Sequence, residues 1–222
     1  MKNILFLLLT QFLFSQIEKT IGDFQELKVL DGINLVLEEG EENILKITGD
    51  NSENVVVINK SGSLTVRMQL VKKLKGQNTV VKLTHKSRIF LIEAKEGATV
   101  ISKNKINQST LYLKTGSGGQ IELEIETEKT VANSNSGGVI NLKGNTFSFE
   151  ANAKSGAIIK AYELTSSQTK VKASSGGSCK AYARDIFEAN ASLGGSIEVF
   201  GNPKTFNQVI SLGGNIIEQK ND

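Results

Sequence analysis

The chain has 222 residues, with 26 Lys and Arg against 23 Asp and Glu and a formal net charge of +3. That balance gives no basic footprint for nucleic acid. One Cys and one His exclude an internal disulfide and a His-based metal cluster, while 39% hydrophobic residues and a single Pro describe a folded chain.

Lys2 precedes an apolar run at residues 4–14 (ILFLLLTQFLF). This is the length of a signal-peptide apolar region and is too short to span a bilayer. Ser15 and Gln16 supply the break, so residues 1–16 read as a signal peptide cleaved close to Ser15, leaving an exported chain of about 207 residues. No Cys lies near that junction, so no lipoprotein anchor is expected. No later apolar run reaches the ~18 residues of a membrane span. The expected location is the periplasm or the cell surface, in soluble form.

Residues 17–92 carry short alternating runs: Leu27-Lys28-Val29-Leu30, Ile33-Asn34-Leu35-Val36-Leu37, Ile44-Leu45-Lys46-Ile47, Val55-Val56-Val57-Ile58, Leu64-Thr65-Val66-Arg67-Met68 and Val80-Val81-Lys82-Leu83. Gly, Asn, Asp and Lys turns separate them, which is strand patterning. This half is either a set of less regular coils or a cap over the N-terminal edge of the repeats from residue 93 onward.

Residues 93–222 repeat. A Ser or Leu followed by Gly-Gly occurs at Ser117-Gly118-Gly119, Ser136-Gly137-Gly138, Ser175-Gly176-Gly177, Leu193-Gly194-Gly195 and Leu212-Gly213-Gly214, with degenerate copies at Glu96-Gly97-Ala98 and Ser155-Gly156-Ala157. The first glycines are 21, 19, 19, 20, 18 and 19 residues apart, and both flanks alternate with period two. Three residues after each first Gly stand Val100, Ile121, Ile140, Ile159, Cys179, Ile197 and Ile216, and two further on Ser102, Leu123, Leu142, Ala161, Ala181, Val199 and Glu218. Three residues before stand Ala94, Thr115, Ser134, Ala153, Ala173, Ala191 and Ile210, and seven before stand Phe90, Leu111, Thr130, Phe149, Thr169, Phe187 and Phe206. These four columns are expected inside. Glu93, Lys114, Asn133, Asn152, Lys172 and Asn190, four before, are expected to face solvent. A coil of about 19 residues stacked at about 4.8 Å per turn is an all-β fold, a parallel β-helix or β-solenoid, with right-handed winding as the default for parallel crossovers. The glycine pairs are its expected corners.

Asp31-Gly32-Ile33-Asn34, then Gly49-Asp50-Asn51, the Ser-Gly-Gly coils, Gly201-Asn202-Pro203 and a final Leu212-Gly213-Gly214 together resemble the head GIN domain family. Its members carry the label of putative auto-transporter adhesins of Bacteroidetes-type bacteria. The resemblance extends over about residues 21–219 and implies an exported β-helix of undefined biochemical activity.

Parallel β-helices that cut acidic polysaccharides need clustered carboxylates or a cation with a base. From residue 97 onward the only Asp are Asp185 and Asp222, and there is no His. The acidic feature is the row Glu122, Glu124, Glu126 and Glu128, on one outward face about 6.6 Å apart per step. A solvated face is its expected role, so no catalytic residue is assigned. No Asp follows a Gly pair as calcium-binding solenoids require, so neither metal nor cofactor is expected. Cys179 reads as a small buried hydrophobe, and His85 as a solvated strand-end residue.

One outward ladder suggests a ligand. Lys143, Lys160 and Tyr162, Lys180 and Tyr182, and Phe200 recur four and six residues after the glycines, so Tyr162, Tyr182 and Phe200 are expected in register about 4.8 Å apart beside a Lys column. Rings beside cations suit sugar faces and acidic groups, although such ladders also stabilise sheets without any ligand. The reading is a non-enzymatic binding or adhesion-type module of the cell envelope, with a polysaccharide or another envelope protein as partner. A lyase or hydrolase, and a structural protein that self-associates through its end coils, are the alternatives.

Overall fold

The computed structural model describes residues 17–72, 76 and 78–219; the expected signal peptide and its cleavage point lie outside the described residues. Eighteen strands join one continuous sheet. The N-terminal half holds β1 (Ile17–Thr20), β2 (Glu26–Val29), β3 (Asn34–Glu39), β4 (Ile44–Gly49), β5 (Val55–Lys60), β6 (Ser63–Met68), β7 (Thr79–His85), β8 (Leu91–Lys95) and β9 (Thr99–Ser102). The regular coils hold β10 (Ile106–Gly116), β11 (Gln120–Ser134), β12 (Val139–Lys154), β13 (Ile158–Ser174), β14 (Ser178–Tyr182), β15 (Ile186–Ser192), β16 (Ser196–Phe200), β17 (Thr205–Ser211) and β18 (Asn215–Glu218). The chain is the β-solenoid that its period predicts.

Each regular coil has a limb after the glycine pair and a limb before the next pair. β11 pairs in parallel with β12 from Gln120↔Val139 to Ser134↔Ala153, interrupted opposite Glu128, where the second corner lies. The Thr127 and Thr130 hydroxyls meet there at 2.7 Å, and Thr127 reaches Thr146 of the next coil at 2.8 Å. The half-buried polar groups of the corner thus satisfy one another.

The glycine corners differ from the expectation in an instructive way. In Ser117-Gly118-Gly119 the left-handed residues are Ser117 (φ 49°) and Gly118 (φ 75°), and Gly119 N donates to Gly116 O at 3.0 Å. Two successive left-handed residues make a type I′ turn, which the residue before the pair enters despite its side chain. The second glycine serves another purpose: a Cβ on Gly119 would lie 2.2 Å from the carbonyl oxygen of Ala94 in the coil below. That backbone contact leaves no room for a Cβ at Gly119, whereas the turns at Gly97 and Gly156 carry Ala98 and Ala157, both buried, in the same place.

Asp31 (φ 61°) and Gly32 (φ 78°) make the same turn. Their coil obeys the same columns, because Val29 pairs with Ala94, Leu35 with Val100 and Leu37 with Ser102. On its other side lie β6 and β7, with Leu27↔Leu64 and Leu35↔Val81 in parallel register. Three antiparallel strands then finish this end: β5 on β6, β4 on β7 and β1 on β4. The N-terminal half therefore holds coils as well as edge-covering strands. Asp31 is buried at this junction and its Oδ2 accepts from Met68 N at 3.1 Å.

The inward columns form one apolar core from Phe24 to Val199, each buried Leu, Ile or Phe contributing roughly 1.5–3 kcal/mol. Several described positions depart from the expected pattern, among them Glu218, which is exposed although its column points inward. Phe90 is half exposed and stacks on Tyr112, ring centroids 4.7 Å apart, while Ile89 takes the interior. Glu93 is almost buried and pairs with Lys95 at 2.5 Å. Ile210 is half exposed, with no described strand beyond its own.

Cys179 is fully buried in the Ile and Val column, and burial pushes its thiol well above the usual range. The thiolate is the reacting species. The folded protein is therefore expected to give no colour with a thiol-reactive disulfide reagent at neutral pH, and one full equivalent once unfolded in denaturant.

Candidate functional site

The expected ladder residues all lie on the outer face of the limb that follows the glycine pair, carried by β12, β13, β14 and β16. Tyr182 and Phe200 are direct partners across β14 and β16. Tyr162 is not in simple register. Asn141 pairs with Lys160, but Lys143 pairs with Glu163, so β13 holds one extra residue over this stretch. Such a bulge re-aims a side chain. Tyr162 turns its ring towards Phe200, two coils away, with centroids 5.7 Å apart and planes inclined by 38°. Tyr182 instead packs its ring on Gly201, where a Cβ would meet its Cε2 and Cζ at 2.8 Å. The even stack of three rings expected from sequence is thus replaced by one pair and one ring seated on backbone.

The bulge opens a cleft of about 240 Å³ between β11, β12 and β13, with Glu122, Asn141, Lys143, Lys160, Tyr162 and Glu163 on its walls. The side-chain oxygen of Asn141 is shielded there, and among the described residues no donor reaches it. A shielded acceptor without a partner costs on the order of 1–3 kcal/mol. The Tyr162 hydroxyl donates to the Glu163 carboxylate; that bond and the neighbouring negative charge hold the phenol above its ordinary range, against the opposing pull of Lys180.

The cations of the ladder are not equivalent. Lys143 pairs with Glu124 at 3.4 Å and Lys180 with Glu198 at 2.9 Å. Lys160 has no ion pair among the described residues and remains available at the cleft. The structure therefore brings Lys143, Lys160 and Tyr162 together in one cleft, and leaves Lys180, Tyr182 and Phe200 on the coils beyond it.

The Glu row is neutralised more than it is concentrated. Lys105 lies 3.5 Å from Glu124 and 3.6 Å from Glu126, and Lys143 holds the other oxygen of Glu124. Among the described residues no group of three or more His, Cys, Asp or Glu is placed to hold a metal ion.

A second cleft of about 400 Å³ lies where the limbs meet near the N-terminal end, with Glu39, His85, Lys86, Arg88, Lys105 and Gln108 on its walls. His85 is the last residue of β7, as expected, but is half buried, and its Nδ1 is 2.9 Å from Ser87 O. These residues come from three stacked layers, so only the short run His85-Lys86-Ser87-Arg88 marks the place in sequence.

Among the described residues no helix is long and apolar enough to cross a membrane. Solved structures share the fold. A "putative adhesin" of Bacteroides fragilis NCTC 9343 has a TM-score of 0.82 and 17% identity, with 92% of this chain and 96% of that chain covered. A "putative adhesin" of Parabacteroides merdae ATCC 43184 has a TM-score of 0.70 and 20% identity, covering 93% and 96%. A protein of Parabacteroides distasonis ATCC 8503 described as a "putative lipid binding protein" has a TM-score of 0.73 and 18% identity, covering 93% and 96%. No curated protein matches the sequence. The model of one family, described as "Putative auto-transporter adhesin, head GIN domain", matches residues 23–203, a span that runs from the Asp31-Gly32 coil to the Gly201-Asn202-Pro203 corner, and the chain belongs to that family.

Proposed function

We propose that this is a non-enzymatic, exported protein of the cell envelope, released as a soluble chain by cleavage near Ser15, that binds a glycan at the Lys143, Lys160 and Tyr162 cleft. The observation that carries the reading is an exposed Tyr162 ring in one cleft with Lys160, which has no ion pair among the described residues. The ring accepts an apolar sugar face, and Lys160 meets an acidic or hydroxyl group. The adhesion-type family and the resemblance to Bacteroidales adhesins fit a binding role. The same fold also bears the description of a lipid-binding protein, so the ligand is argued from the cleft and not from the fold.

Native gels cast with bacterial and plant polysaccharides test this, with a reducing-end and unsaturated-product assay on the same mixtures. Retention without products is expected. Tyr162→Ala is expected to weaken retention about fivefold or more, as removal of an aromatic anchor does. Tyr182→Phe, which keeps the ring on Gly201, leaves it unchanged. Products in the assay, or retention indifferent to Tyr162→Ala, would remove the reading.

A further inference from the structure

The two ends of the solenoid are built differently. At the N-terminal end β4 and β5 run antiparallel to the coils and β1 pairs antiparallel with β4; the three strands carry Glu18, Lys19, Lys46 and Lys60. At the other end β17 pairs with β15 and β18 with β16, and no described strand covers their outer edges. Open edges of natural sheets are usually blunted by Lys, Pro, a bulge or a covering segment. Here residues 205–217 (TFNQVISLGGNII) hold no charged residue and no Pro.

The end coil is also more apolar than the coils beneath it. The column three before the glycines is Ala at 94, 153, 173 and 191, all buried, and becomes Ile210, 51% exposed. Phe206 and Ile216 complete the columns but stay only half buried. Val209 and Ile217 stand where the previous coil has Asn190 and Glu198, and are 58% and 45% exposed. At 210, 209 and 217 a terminal coil shaped for water alone would carry polar residues, not Ile and Val.

We propose that this face is an interface between two copies of the chain, joined end to end about a two-fold axis. The second copy is the occupant that fits on three counts. The uncharged run of residues 205–217 meets its own copy, so no ion within that run is desolvated. The same two limbs and turn face each other, as an isologous contact requires, whereas the charged antiparallel strands of the N-terminal end do not complement this face. The face presents 14 residues, from Thr205 to Glu218, against the roughly 20–30 a side of a standard interface, an area for a weak, exchanging dimer. Gln208 in place of Ala189 and Glu218 in place of Val199 keep the face tolerable to water in the free monomer. Since both open ends are consumed, the contact closes and does not propagate into fibres.

Sedimentation equilibrium of the chain from residue 17 over a wide range of concentration tests the proposal. The expected result is a mass rising towards, and stopping at, twice that of the monomer. Ile210→Lys, at a half-exposed position that the fold tolerates, is expected to weaken the dimer at least roughly tenfold, and Ile58→Lys on β5 leaves it intact. Concentration-dependent hydrogen-exchange protection of β17 amides is the second readout. A monomer at every concentration, filaments, or a dimer that survives Ile210→Lys overturns the proposal. So does loss of the dimer when residues 220–222 are removed, which assigns the contact to that segment and not to β17 and β18. Glycan retention is read separately, so failure of either proposal leaves the other standing.

Discussion

Gly177→Ala is expected to be among the most damaging single-methyl additions to this protein, costing about 3 kcal/mol or more. The new Cβ would lie 2.3 Å from the oxygen and 2.5 Å from the carbon of the Ala153 carbonyl, and 2.9 Å from Lys154 N. All three are backbone atoms of the coil below, so relief requires the ladder between β12 and the next coil to open. Gly176→Ala supplies the contrast. Its Cβ meets nothing within 4 Å, but its φ of +72° is left-handed, which costs about 1–2 kcal/mol for an L-residue. For a chain of this size about 2–4 °C in Tm accompanies each kcal/mol. The expected fall is therefore about 6 °C or more for Gly177→Ala and about 2–8 °C for Gly176→Ala, read by thermal unfolding followed in the far ultraviolet. Equal shifts would mean that backbone angle, and not close approach, sets the requirement for the pair.

Phe187→Ala is expected to cost about 3–5 kcal/mol. The side chain is fully buried and meets Phe206 edge-on at 5.9 Å, so the loss combines a core cavity with an aromatic pair of about 0.5–1.5 kcal/mol. Coils of a solenoid hold only their neighbours. The damage should then be directional: amides of β17 and β18 lose hydrogen-exchange protection while those of β11 keep theirs. Phe147→Ala, at a ring 58% exposed, should shift stability by less than about 0.5 kcal/mol. A loss spread evenly over all coils would show that the solenoid unfolds as one unit.

The glycine markers from Gly97 to Gly213 make the regular coils readable, because a period shows itself when copies adjoin. The coil at Gly32 obeys the same rule through Val29, Leu35 and Leu37, yet 65 residues separate it from Gly97, since β4 to β7 are threaded between them. Columns can be aligned only when the period links them, so this coil escapes assignment from sequence. The site is legible in part. Strand alternation puts Lys143, Lys160 and Tyr162 on the outer face, but the cleft depends on the bulge before Glu163. Its trace in the sequence is the spacing of 20 from Gly156 to Gly176 where 19 is usual. Nothing in a linear sequence distinguishes the shielded Asn141 oxygen from that of Asn133, which accepts from Asn152 at 3.0 Å. Phe90 leaves its expected column for a similar reason. It fits that column by count, but the coil beneath it is the irregular one, and Ile89 fills the interior instead.

The position of the Asp31-Gly32 coil bears on the order in which the fold is completed. Leu27 touches layers made of Leu64 on one side and Ile92 on the other, both later in the chain. A chain delivered N-terminus first therefore presents β2 and β3 before either of their neighbours exists. The regular coils from Gly97 onward need only a partner about 19 residues away, and short loops close faster than long ones. The earliest strands to emerge are thus expected to be enclosed after later ones have the means to zip together, with the Asp31-Gly32 turn set in place by strands that emerge after it.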